Sequence, residues 1–180
     1  MHTDSENNNI NKISNDEINA YFSRIPNNFS NILKLLGLTT IFKKTVSYNR
    51  ITRQVILLNN DNEVGCFEIT GDGDFNSGIP LYMNIHVDDE LLKKNLSRLL
   101  VGVLIKQILQ EGIIINKEQL LVIDGDGSGG FWNHIGLYKG RHSYMSNRPK
   151  SRRLNSTEGA EKEITFSKLS YWALGEILGV

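Results

Sequence analysis

A chain of 180 residues with 20 Lys and Arg against 20 Asp and Glu carries no net charge, which excludes the basic excess of a general nucleic-acid or membrane-surface binder. Its length suits one domain, or one domain with a loose tail, and suffices to bury a core without cross-links. The single cysteine, Cys66, excludes an intrachain disulfide and fits a reducing, cytoplasmic setting, and no stretch reaches the ~18 apolar residues of a spanning helix.

Residues 1–15 are polar, acidic and rich in Asn, without the apolar run of a signal peptide. They are expected to form a polar disordered tail, with 16–180 as a single domain. Ser14, Asn15 and Asp16 are able to cap a short helix that Pro26 stops. Phe29, Ile32, Leu35 and Leu36 have helical spacing, and Gly37 is placed to end that helix. Residues 51–58 and 63–70 are β-rich and flank the turn signal Asn59-Asn60-Asp61-Asn62, which reads as a hairpin. After a Gly/Asp loop, Leu81, Met83, Ile85 and Val87 alternate along a third strand. Asp88, Asp89 and Glu90 close it and favour the start of a helix. Residues 97–110 are apolar on most faces, the mark of a helix central to its domain, and Gly112 ends them. Residues 119–124 form a short, continuously apolar strand of the buried kind. A glycine-rich loop over 124–130 leads to a short helix over 131–135. Strands are expected over 137–144 and 162–169, with a polar, basic loop at 147–161 and a closing helix over 171–178. A strand–helix–strand crossover inside an otherwise antiparallel sheet makes the fold α/β (α+β). It is a mixed, mostly antiparallel sheet with a central buried helix and flanking helices.

Two segments carry a resemblance: LYMNIHVDDELLKKNLSRLLVGVLIKQI, 81–108, and LLVIDGDGSGGFWNHIGLYKG, 120–140. Over roughly residues 50–169 the chain resembles a divergent member of the GNAT superfamily of acetyl-CoA-dependent acetyltransferases. In that family a strand ends in a bulge, and the loop and helix N-terminus after it hold the CoA pyrophosphate. The next strand splays away, and the pantetheine arm lies in the gap. The resemblance therefore implies acetyl-CoA as co-substrate and an amine-bearing acceptor, with transfer in a ternary complex; the balanced charge gives the expectation of no nucleic-acid or membrane partner. Ile85 and Val87 fall on the strand beside the gap. The family's loop pattern, Gln/Arg-x-x-Gly-x-Gly/Ala, falls on Leu92, Asn95 and Ser97. Asn95 replaces a glycine but tolerates a left-handed backbone, and Ser97 is small and able to cap the helix. Lys93, Lys94 and Arg98 supply positive charge around Leu96, where the helix begins. Ser128, Phe131 and Trp132 fall beside the pantetheine arm. Where the family often has a tyrosine that protonates the departing thiolate, this chain has Trp132. Its indole is a donor but no acid near neutral pH, so Tyr138 or a water would have to serve.

Acetyl transfer needs a deprotonated amine, a polarised carbonyl and a route for the thiolate to leave. Backbone N–H groups at the end of the 81–87 strand are candidate polarising donors. His86, at that end, is a candidate base, although its place between Ile85 and Val87 also suits a solvent-facing residue. Asp124 ends the second strand, where it would hold or deprotonate an amine or else bond its own loop. Glu68 is a further candidate base or a simple exposed residue. Three other patterns have competing readings. Asp124-Gly125-Asp126-Gly127-Ser128-Gly129 matches the first half of a calcium loop, but the twelfth position is Ile135, so no metal is expected. Gly127-Ser128-Gly129-Gly130 is similar to a serine-protease loop but lacks a suitably spaced histidine base. The basic residues between Arg141 and Arg153 suit either a phosphate contact or a solvated loop. Cys66 reads as inert packing and Trp172 as a core anchor. The alternatives to an acetyltransferase are a degraded CoA-binding or interaction module on the same fold and, further off, a calcium-binding module.

Overall fold

The computed structural model describes residues 29–73, 75, 78–88, 96–123, 138–139 and 162–180. Their order is α1 (Phe29–Leu36), β1 (Thr39–Ser47), β2 (Arg50–Asn59), β3 (Asn62–Asp72), β4 (Leu81–Val87), α2 (Leu96–Gln110), β5 (Leu120–Ile123), β6 (Tyr138–Lys139), β7 (Lys162–Thr165) and α3 (Phe166–Leu174). Among the described residues the strands form one sheet in the order β1-β2-β3-β4-β5-β7-β6. Every neighbouring pair is antiparallel except β4 with β5. This is the mixed α/β architecture that the hydrophobic pattern implies, with α2 as the crossover between the two parallel strands.

Turn chemistry sets the meander. Asn60 and Asp61 both take positive φ, 48° and 64°, the geometry a two-residue hairpin demands and that Asn and Asp accept at low cost. The loop after β3 is anchored by Phe75, which is fully buried although its φ is 65°. A phenylalanine in that region is strained and stays only where its surroundings hold it. Here the Arg53 guanidinium lies 4.7 Å from the ring centroid, and Arg53 Nε donates to Glu111 Oε2 at 3.2 Å. Gly71 keeps this corner tight, since a Cβ there would come within 2.3 Å of Leu81 Cδ2.

The core lies on one face of the sheet. Val55 and Leu57 of β2, Phe67 and Ile69 of β3, and Leu81, Met83 and Val87 of β4 are all buried. Nine of the 15 residues of α2 are buried, so this helix is covered on more than one side. It packs on β2, β3 and β4 and also touches α1 and α3. The contact with α1 is intimate: a Cβ on Gly102 would come within 2.4 Å of Phe29 Cζ.

Four elements differ from the sequence reading. β1 was not expected. All but one of its residues are exposed, so it carries no apolar alternation to signal a strand, and Lys43 and Lys44 suit it to the sheet edge. The strand expected over 162–169 ends at Thr165, whose hydroxyl accepts the Lys168 N–H at 3.4 Å and caps α3. The closing helix therefore begins at Phe166 instead of Tyr171. It stops at Gly175 (φ 70°), whose N–H donates to Tyr171 O. Phe166, Leu169, Ser170, Ala173 and Leu174 form its buried stripe, which mimics strand alternation over its first residues. The bulge expected at the end of β4 is absent up to Asp88. β3 and β4 stay in one register, and Asp88 N–H continues it to Val64 O. The irregularity lies instead between β2 and β3, at Leu57/Leu58. Of the strand expected over 137–144, Tyr138–Lys139 is described. The expected tail, the helix begun at Ser14, the helix over 131–135 and the loop over 147–161 lie outside the described residues.

Candidate functional site

The site follows from where β4 and β5 stop pairing. Among the described residues their parallel ladder holds Leu81↔Leu121 and Tyr82↔Val122. Both strands continue, yet Met83 and Ile123 do not pair, and β4 runs on to Val87 with only β3 beside it among the described residues. Among the described residues the two ribbons are joined at this end, and beyond Ile123 no described residue of β5 stands beside β4.

The direction of the free backbone groups can be deduced. In an antiparallel pair, directly opposed residues alternate between hydrogen-bonded and non-bonded pairs. Asp88 N–H donates to Val64 O at 3.0 Å, so Asp88 is in the bonded rank. With unbroken register, His86, Asn84 and Tyr82 share that rank and spend their peptide groups on β3. The peptide groups of Ile85 and Val87 therefore face the opposite edge, where no strand pairs with them among the described residues, while Met83 N–H belongs to the Tyr82↔Val122 step of the β5 ladder. Their side chains turn to the core face: Met83 and Val87 are buried, and Ile85 is half-buried against the core.

The start of α2 stands beside this end of β4. A Cβ built on Gly65 would lie 3.3 Å from Leu100 Cδ1 and 3.5 Å from Val87 Cγ2, so the second turn of α2 rests on the strand's free end. The first N–H groups of a helix have no partner within it and favour an anion. Leu96 is buried, so only its backbone is available to a ligand. Ser97 and Arg98 are half-buried. Arg98 Nε donates to Ala173 O at 3.5 Å, where a cation complements the C-terminal end of α3. Burial pulls its guanidinium pKa down.

On the face away from α2, His86 and Asn84 are exposed. His86 Nε2 lies 3.5 Å from Asp88 Oδ1. Cys66 is the cross-strand partner of His86, and Asn84 is that of Glu68. Burial pushes the Cys66 thiol pKa up, with the charges of Glu63 and then Glu68 adding to the effect. The thiol is therefore protonated and a poor nucleophile, in keeping with packing. Tyr138 lies on β6, with β7 and β5 between it and β4, about 14 Å away at the usual strand spacing. Asp124, Lys93, Lys94, Asn95, Ser128, Phe131 and Trp132 lie outside the described residues. Sequence reasoning missed Asp88 as a partner of His86, although residues two apart in a strand share a face. Among the described residues no group of three or more His, Cys, Asp and Glu is arranged to hold a metal ion. No helix there is long and apolar enough to cross a membrane.

No family model matches the chain, and no curated protein matches it. Among solved structures the chain is similar to Tetrahymena GCN5, with 12% identity, coverage of 91% of this chain and 92% of that one, and a TM-score of 0.43.

Proposed function

We propose that this protein is an acetyl-CoA-dependent N-acetyltransferase that passes an acetyl group directly to an amine. One observation carries the reading: among the described residues the β4–β5 ladder ends after two pairs, and the peptide groups of Ile85 and Val87 point to that unpaired edge. An amide-bearing arm fits such an edge because it adds to the sheet like an extra strand. The pantetheine arm would bond the backbone of Ile85 and Val87, with Ser128, Phe131 and Trp132 on the far wall. Its pyrophosphate would lie on the N–H groups at Leu96 and Ser97, with Lys93, Lys94, Asn95 and Arg98 around it. Bound acetyl-CoA supplies the thioester. A peptide N–H at Val87 would polarise the carbonyl, His86 would take the amine proton, and Asp124 would hold the amine. Tyr138, three strand positions from β4, is left without a role. The same reading takes 16–180 as one domain behind a polar tail, working in the cytoplasm.

The test is a thermal melt of the full chain with CoA, acetyl-CoA and an unrelated nucleotide. Ligand at a hundred times Kd adds about 2.7 kcal/mol to the native state, so both CoA species should raise Tm and the nucleotide should not. An unchanged Tm at saturating CoA would refute the proposal. Trp132 favours one variant of the reading, a CoA-binding module with little turnover, because an indole cannot protonate a thiolate. CoA binding without acetylation across a broad amine panel, with no gain in Trp132→Tyr, would select that variant.

A further inference from the structure

We propose that the acceptor amine enters from the sheet face opposite α2, and that Asp88 is a positioning residue for His86 there. This inference rests on the transferase reading above.

Three observations lead to it. First, α2 closes one face at the free end of β4: Leu100 and Val87 both lie within about van der Waals contact of the Gly65 position, and Val87 is buried. A second substrate must come from the other side. Second, that side carries the one imidazole of β4, a side chain able to accept a proton from an amine. His86 is 67% exposed, and its peptide group is held by β3. It therefore projects from between Ile85 and Val87, the two residues whose peptide groups face the gap. Third, the strand register continues to Asp88, so Asp88 shares the His86 face and brings Oδ1 to 3.5 Å from Nε2.

That contact has a chemical consequence. A carboxylate on Nε2 keeps the proton on that nitrogen and leaves Nδ1 as the acceptor. In the transfer, the amine nitrogen forms a bond to the acetyl carbonyl carbon and its proton passes to Nδ1. The C–S bond breaks with its electron pair on sulfur. The thiolate takes a proton from water, and His86 returns its proton to solvent. Glu63 and Glu68 stand on the same side near Cys66, the cross-strand partner of His86, and are further charged groups an amine would meet among the described residues.

The experiment uses the full chain with Asp88→Asn, Asp88→Glu, His86→Gln and the double variant His86→Gln/Asp88→Asn. The readouts are the ring nitrogen resonances of His86, with and without acetyl-CoA, and steady-state transfer to a panel of alkylamines and lysine peptides. The wild-type ring should carry its proton on Nε2, and Asp88→Asn should remove that bias. Acetyl-CoA should shift the ring resonances. His86→Gln should cost about a hundredfold in kcat, the contribution of a placed base, with KM for acetyl-CoA unchanged. Asp88→Asn should cost part of that, Asp88→Glu should recover it, and the double variant should be no slower than His86→Gln. Losses that multiply in the double variant would overturn the positioning role, as would a ring tautomer indifferent to Asp88→Asn. If acetyl-CoA raises Tm but leaves the His86 resonances in place, the proposed entry face is wrong while the transferase reading survives. If no CoA species raises Tm, it is the transferase reading that fails.

Discussion

Along its β3 edge, β4 is paired from Tyr82 to Val87, and Asp88 carries the ladder one step further. Along its β5 edge it is paired, among the described residues, at Leu81 and Tyr82. One edge of the same seven residues is committed to holding the sheet together, and past Tyr82 the other has no pairing strand among the described residues. The difference is one of neighbours, since both edges share the same strand sequence. α2 leaves the sheet after β4 and returns at β5, whose described residues pair with the first part of β4.

The comparison can be broken at three points, with successively smaller effects. The joined end should behave as core. Leu121 is fully buried and pairs with Leu81, so Leu121→Ala should cost about 2–5 kcal/mol, read by urea unfolding. A loss within the ~0.5 kcal/mol typical of surface changes would mean that this seam does not hold the sheet. The open end should distinguish neighbouring positions. Asn84→Pro deletes an N–H committed to β3 and strands an acceptor, a loss of about 3 kcal/mol. Ile85→Pro deletes an N–H that faces the gap, so it should leave the fold closer to wild type yet abolish the rise of Tm with CoA. Equal damage from both would overturn the deduced ranks. The smallest effect concerns Cys66. Its raised pKa means that the thiolate forms only above the usual thiol range, so alkylation of the folded protein at neutral pH should lag that of the unfolded chain and accelerate as pH rises. Equal rates at neutral pH would contradict the burial and the carboxylates beside it.

Much of this was legible in the chain itself. The alternation of Leu81, Met83, Ile85 and Val87 gives the bounds of β4, and the nearly unbroken apolar run from Leu96 gives α2, because both elements are fixed by what they bury. β1 escaped notice for the converse reason: its residues are exposed and their polarity follows no period. At the C-terminus, Ile164, Phe166 and Leu169 fit either a strand or the first turn of a helix. The Thr165 cap decides for the helix, a local bond that apolar spacing does not reveal. The site was legible in part. The positions of Ile85, Val87 and His86 followed from the strand, but which peptide groups face the opening depends on the partner's register, and no single strand sequence encodes that.

That dependence gives the loop after β3 an influence beyond its own neighbourhood. Shifting β4 by one residue against β3 would exchange the two ranks, so that Asn84 and His86 would present their peptides to the gap and the imidazole would be driven toward the core. Phe75, locked beneath the Arg53 guanidinium in a costly backbone conformation, sits where such a slip would begin. A residue inserted between Asp72 and Leu81 would thus damage the gap from the far end of the strand, without touching a single group that lines it.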